Sequence, residues 1–473
     1  MSPDSAPTLC DRGPPATRPG WLARLGEALR RNQRRIRAAQ WAVVAVYLVL
    51  VAAPALLPLP PRTAHVWNNL TVFAQFAFWG VWWPFVLLSM VVVGRAWCGF
   101  FCPEGALTEF VSGYGRGRAV PRWLMWRGWP FVAFACTTVY GQLVSVYQYP
   151  KPVLLILGGS TLGAIAVGWW YGRNKRVWCR YLCPVNGVFA LLSKLAPFHY
   201  RVDGERWAES QAHQPHPAER INCAPLVPIR TMESAGPCHM CGRCAGFRDA
   251  VTLSARIPGR EIVAVAGRQT NPWESVLILV GMLGIAVGAF HWSASPWFLA
   301  LKDVVATALI DHDVVGPVEW TLPWWLLTDY PAQSDVMTVL DGAVLLAYVA
   351  ATAAVMTLGL GALVGLATRL LGPWSWPRFH HLVQALIPVA GCGIFLGLSM
   401  QTVSLLRGEG VVIPGLGALR LALLAGALLW SAGLAWRVSG RYGQRLRRIA
   451  ATAAMTGAAA LGVASWALLF WGW

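Results

Sequence analysis

The chain has 473 residues, 56% of them hydrophobic and only 13% charged, with 27 Trp and a mean hydropathy of +0.49. Soluble domains carry roughly a quarter charged residues, so both an ordinary water-soluble globule and a disordered chain are excluded. The 39 Lys and Arg exceed the 21 Asp and Glu by 18; in so apolar a chain this excess marks the loops that stay in the cytoplasm, and no nucleic-acid partner is expected.

Residues 1–39 form a basic cytoplasmic tail containing Arg30, Arg31, Arg34, Arg35 and Arg37. It lacks the short apolar core and small-residue cleavage site of a signal peptide, so no removed leader is expected. Nine stretches then reach the roughly 20 mostly apolar residues that a spanning helix needs, at about 40–59, 71–94, 124–147, 153–171, 274–292, 337–368, 380–404, 414–436 and 450–472. With the amino end inside, only Arg62, Lys151, Lys302, Arg407 and Arg420 fall on the outer side, which sets the orientation by the positive-inside rule. The predicted architecture is an all-α polytopic membrane protein with about nine transmembrane helices and a small cytoplasmic, ferredoxin-like Cys-rich insert. It divides into two pseudo-repeated hairpins over 40–197, the insert over 198–272, the fifth helix with an external interfacial segment over 273–336, and a four-helix extension over 337–473.

Residues 95–103 read RAWCGFFCP and residues 176–184 read RVWCRYLCP, an internal repeat at a spacing of 81 residues. Each copy is expected where the second helix of a hairpin reaches the cytoplasm. Pro at a first helical position predicts Cys102 and Cys183 as N-caps of short amphipathic helices. The helix dipole, with Arg95, Arg176 and Arg180 nearby, is expected to favour thiolates there. If the hairpins pack as partners, Cys98, Cys102, Cys179 and Cys183 converge into a four-thiolate site at the cytoplasmic membrane face, suited to a 4Fe-4S cluster, or to zinc or copper(I). Buried structural thiols and two disulfide-exchanging pairs are the other readings.

Within the insert, PCHMCGRCAGF places Cys238, Cys241 and Cys244 at the spacing with which bacterial ferredoxins wrap a 4Fe-4S cluster. The usual fourth Cys-Pro is replaced by Arg248 and Asp249, which leaves Cys223 as the favoured fourth ligand. A three-iron cluster, a labile iron site and a zinc site are the alternatives. His239 is read as a bystander.

The doubled WCxxxCP hairpin followed by a cysteine-rich segment resembles the membrane-bound polyferredoxins of bacteria, the NapH-, NosR- and CcoG-type proteins, over roughly residues 40–260. The resemblance implies a bacterial inner-membrane location and electron transfer between a cytoplasmic or quinol donor and a membrane or periplasmic redox partner. Copper or zinc handling by the same thiolates, without electron transfer, is the alternative function. Two features depart from the family: the incomplete ferredoxin motif, and the four added helices, in which no chemistry is expected. His291, His380 and His381 are read as interfacial anchors, Asp341 as a residue placed just inside the interface, and Cys136 and Cys392 as packing residues.

Overall fold

The computed structural model describes residues 20–61, 63–213 and 221–473; Arg62 of the sequence analysis lies outside them, as does Cys10, to which no role is assigned. Eight helices are long and apolar enough to cross a bilayer: Gln33–Leu56, Leu70–Val93, Pro150–Tyr171, Pro272–Ala294, Val339–Leu370, Trp376–Gly408, Leu416–Ser439 and Arg445–Gly472. The ninth expected span, 124–147, contains a helix of only 15 residues, Trp129–Leu143. It still joins the two levels that the helix Pro272–Ala294 joins. At its start Trp126 packs edge-on against Trp273 at 4.7 Å, and at its end Trp292 Nε1 donates to Gln142 Oε1 at 2.9 Å. Among the described residues eight helices thus reach bilayer length, and this short helix, extended by turns at both ends, runs between the same two levels.

Local chemistry sets the helix starts. Asn69 caps Leu70–Val93 by accepting from Thr71 N and Val72 N at 2.9 and 3.3 Å, and Thr338 with Asp341 forms a reciprocal capping box. Asp341 also pairs with Lys302 at 2.5 Å, so its polar character serves the helix end and the outer segment. That segment forms a helix, Pro296–Asp311, and a two-residue hairpin pairing Asp329–Tyr330 with Asp335–Val336.

The most buried spans, Pro272–Ala294 and Trp376–Gly408, form the centre. A Cβ at Gly284 would lie 3.1 Å from Ala353 Cα and one at Gly288 3.0 Å from Val349 Cα, so small residues let Pro272–Ala294 and Val339–Leu370 approach closely. Of the added helices, Trp376–Gly408 also reaches the repeat region, where Thr402 Oγ1 donates to the Gly80 carbonyl at 2.7 Å. His381 joins them to the insert, with Nδ1 at 2.7 Å from Tyr442 Oη and Nε2 at 2.7 Å from the Ile262 carbonyl. His380 Nδ1 lies 2.9 Å from Ser275 Oγ.

The insert is built on an antiparallel strand pair, Phe198–Val202 with Val251–Ala255, flanked by the helix Gly204–His213. Tyr200, Trp207, Met240, Ala245, Val251 and Leu253 form its core. The basic tail is not loose over its described part: the amphipathic helix Trp21–Arg31 lies on this core, with Gly26 so close that an added Cβ would sit 3.1 Å from Leu253 Cβ.

Candidate metal centre

The two repeated motifs begin alike. A five-residue helix, Ala96–Phe100 or Val177–Tyr181, carries the first cysteine, and the chain turns back at the second. They then diverge. Cys102 caps the helix Pro103–Gly113, its Sγ accepting from Gly105 N at 3.4 Å. Cys183 does not cap: Pro184 and Val185 form a turn, and the helix begins at Asn186.

The hairpins do pack as partners. Thr108 Oγ1 donates to the Ala164 carbonyl at 2.8 Å, and Gly168 is small enough to admit Thr108. Copy two reaches into copy one: Trp178 Nε1 donates to Glu104 Oε2 at 3.1 Å, Arg176 Nε to Glu109 Oε2 at 2.7 Å, and Arg176 Nη1 to the Cys98 carbonyl at 2.6 Å. Glu104 lies beside Ser160, eleven residues before the end of its helix at Tyr171, or roughly 16 Å along it at the α-helical rise.

Cys98, Cys102, Cys179 and Cys183 become electrostatic neighbours. Burial pushes the Cys102 thiol well above its usual range, and Cys179 and Cys98 push it further. Burial, then Glu104, Cys179, Cys102 and Cys98 do the same to Cys183. Burial carries Cys179 to about 12 against the opposing pull of Arg176. Desolvation thus outweighs the dipole and the arginines that were expected to favour thiolates. Buried thiols such as Cys102, Cys179 and Cys183 ionise together only around a cationic core, whose entry must release their protons.

The insert gathers the second set. Cys241, Cys238 and Cys223 all raise the Cys244 thiol, burial being the largest cause, and Cys238 is carried to about 12 by burial with Cys241 and Cys223 adding. Cys223 enters this group from a loop held on copy two, where Lys175 Nζ donates to the Cys223 carbonyl at 3.1 Å and Arg176 N to the Ala224 carbonyl at 2.8 Å. His239 is buried with no partner for its Nδ1. Among the described residues no three His, Cys, Asp or Glu side chains close tightly enough around one point to hold a single metal ion.

The two sets adjoin. A Cβ at Gly99 would collide with the His239 carbonyl and lie 3.1 Å from Cys241 N and Cα, so the first motif rests directly on the insert motif. Arg95, 3% exposed, donates to the Gly236 carbonyl at 2.7 Å and lies 3.8 Å from Cys98 Sγ. Arg176, 2% exposed, feels the charge of both Cys179 and Cys241. Gln33 Nε2 donates to the Cys241 carbonyl at 2.9 Å, and Gln40 Nε2 to the Gly99 carbonyl at 2.7 Å. Sequence reasoning missed these two glutamines and Glu109; two acids in copy one with none in the matching positions of copy two was the available signal.

Residues 75–121 and 155–202, the two repeats, each match the family described as a 4Fe-4S binding domain. The chain is 25% identical over 227 residues to YccM of Escherichia coli K12, a protein named for electron transport, covering 43% of this chain and 62% of that one. It is 25% identical over 199 residues to the regulatory protein NosR of Pseudomonas aeruginosa (34% and 25%). It is 27% identical over 124 residues to the methylamine utilization ferredoxin-type protein MauN of Methylorubrum extorquens (23% and 42%). The chain thus spans less than two thirds of the length of these curated relatives. No solved structure matches it.

Proposed function

We propose that this chain, two segments of which match a 4Fe-4S binding domain, is a membrane polyferredoxin-like protein that passes single electrons between a cytoplasmic or quinol donor and a membrane or periplasmic redox partner. In this reading it lies in a bacterial inner membrane with its amino end in the cytoplasm. Cys98, Cys102, Cys179 and Cys183 hold one 4Fe-4S cluster, and Cys223, Cys238, Cys241 and Cys244 hold the other. Such clusters, when bound, supply one-electron redox chemistry at a potential that the protein sets. The observation that carries the reading is the adjacency of the two thiol sets, with Arg176 in the field of Cys179 and of Cys241 and Gly99 against Cys241.

The residues fit such cores. Each set offers four thiols within one another's field, and a polynuclear core spreads its sulfurs more widely than one tetrahedral ion does, consistent with the looser grouping. Arg95 and Arg176 offset the negative charge of a reduced four-thiolate centre and so stabilise it. The buried aromatic residues around the first set exclude water. The partner's identity rests on chemistry outside this chain.

Anaerobic purification with iron, sulfide, copper and zinc measured on one sample tests this. The expected content is about eight iron and eight sulfide per chain, that of two 4Fe-4S cores. Copper or zinc without sulfide overturns the reading. A Cys223→Ser variant that keeps full iron and sulfide shows that the insert's fourth ligand is another residue.

A further inference from the structure

The added helices carry charge of almost one sign. From Gly342 to Trp473 the chain has nine arginines and a single acidic residue, Glu409. Glu409 sits at the far end of the span Trp376–Gly408, bonding His65 at 3.2 Å and Val66 N at 2.7 Å. Seven of the arginines lie at the opposite end, on the insert's side, two of them flanking the turn at 371–375 and five in and around the turn at 440–444. The two turns adjoin. A Cβ at Gly443 would lie 2.8 Å from Leu371 Cδ2, and the Arg378 guanidinium stands 5.4 Å from the centre of the Tyr442 ring.

Three of these guanidiniums are fixed by backbone carbonyls, which hold them in place without neutralising them. Arg378 Nη1 donates to the Thr368 and Pro373 carbonyls at 3.2 and 3.1 Å, Arg441 Nη1 to those of Val263 and Ala264 at 2.6 and 3.3 Å, and Arg448 Nε to that of Trp436 at 2.9 Å. Arg378 Nε is buried with no acceptor. The helix Arg445–Ala467 then opens with Arg445, Arg447 and Arg448, with no acidic residue in its first turn and no side-chain cap. A helix start is the positive end of the dipole, so this turn opposes the charges it carries and favours an anion. The positive-inside rule asks only for basic residues near a helix end; it does not ask that they be pinned around uncapped N–H groups. The surroundings are those of a bilayer surface, where indoles collect: Trp376 is 59% and Leu446 80% exposed, and the Arg448 guanidinium lies 3.7 Å over the Trp436 ring.

We propose that these paired turns bind the phosphodiester of an anionic phospholipid, its oxygens accepting from the first N–H groups of the helix Arg445–Ala467 and from the Arg378, Arg447 and Arg448 guanidiniums. The acyl chains then run past Leu446 into the bilayer. Free phosphate offers the same oxygens, but the exposed Trp376 and Leu446 beside the arginines suit a ligand with an apolar body. The site uses none of the eight thiols, so it stands or falls apart from the electron-transfer reading.

The test uses full-length protein in neutral maltoside micelles, incubated with diphosphatidylglycerol and read by native mass spectrometry. About one tightly held lipid per chain is expected, weakened about five-fold by Arg447→Gln and further by adding Arg445→Gln, the usual effect of one basic residue beside a charged bilayer. Arg407→Gln, which removes the same charge at the opposite end, should leave the affinity unchanged. The lipid should also slow amide exchange at residues 445–447, whose N–H groups precede the first intrahelical bond. Arg445 and Arg447 are exposed, so both variants should fold, with thermal unfolding as the check; Arg378→Gln carries the test from the other turn if they do not. An equal loss in Arg407→Gln marks an effect of net charge and overturns the proposal. Equal retention of phosphatidylcholine marks acyl-chain space, and displacement by millimolar inorganic phosphate marks a soluble-anion site; either overturns it. Bound lipid with unchanged exchange at 445–447 lies elsewhere on the protein and overturns it as well.

Discussion

The two repeats share the residues that would face a metal core and differ in the residues that face each other. Arg, Trp, Cys, Cys and Pro recur in step, but Gly99, Glu104 and Glu109 of copy one stand where copy two has Arg180, Val185 and Ala190. Each difference has a partner. Glu104 receives Trp178, Glu109 receives Arg176, and Gly99 makes room for the backbone of the insert motif. Duplication accounts for a symmetric ligand set, and a handful of substitutions then turn one copy into a receptor for its twin and for the insert. The lesson is that pseudo-symmetry is kept around the candidate cofactor and given up at every interface that must be one-sided.

This contrast can be broken at four points. The largest effect is expected at the shared positions, where Cys98→Ser and Cys179→Ser should each abolish the paramagnetic signal of the dithionite-reduced first centre; survival of that signal in either variant would show that the copies are not equivalent ligand donors. Next comes Glu109→Gln, which removes the partly buried charge that Arg176 and Arg243 pair with and should cost about 1.5–3 kcal/mol, the worth of hydrogen bonds to a charged group, read in thermal unfolding. Burial raises the Glu109 carboxyl, but Arg176 and Arg243 outweigh it and hold the group below its ordinary range. Its contribution is therefore complete above the ordinary carboxylate value near 4.3 and is lost as pH falls through the lower folded value, so the variant should show a flatter acid limb than the parent. Gly99→Ala should cost about 1–3 kcal/mol by overpacking and loosen the insert, seen as faster amide exchange at residues 238–244. The matching change on the other copy, Arg180→Ala, truncates a partly buried side chain and overpacks nothing, so amide exchange at residues 238–244 should stay as in the parent; equal loosening at both positions would remove the asymmetry argued from Gly99.

Much of the frame was legible because it is written in local pattern. Apolar runs of bilayer length gave eight of the spans, and cysteine spacing brought eight thiols into two groups. The third pass was harder to read, since Trp, Pro and Gly at 121–130 and the turn at 144–149 shorten its helix to 15 residues while tertiary contacts keep its ends at the right levels. The path of the helix Pro103–Gly113 back along Gly159–Tyr171 was hidden for a related reason: nothing local specifies it. The burial that opposes the dipole and the arginines at these thiols was hidden too, because a dipole and nearby arginines can be read from sequence and desolvation cannot. The shared roles of Gln33, Gln40 and Glu109 rest on contacts between residues far apart in the chain, where periodicity is silent.

The docking of Trp21–Arg31 onto the insert has a consequence for biogenesis. Gly26 and Leu253 adjoin across 226 intervening positions, and loop-closure entropy is recovered only when the later partner has been synthesised. By then four passes, from Gln33 to Tyr171, have left the ribosome. The insert's hydrophobic nucleus thus closes over a platform already delivered to the bilayer, and its cysteines reach their final positions as a late event of maturation rather than an early one.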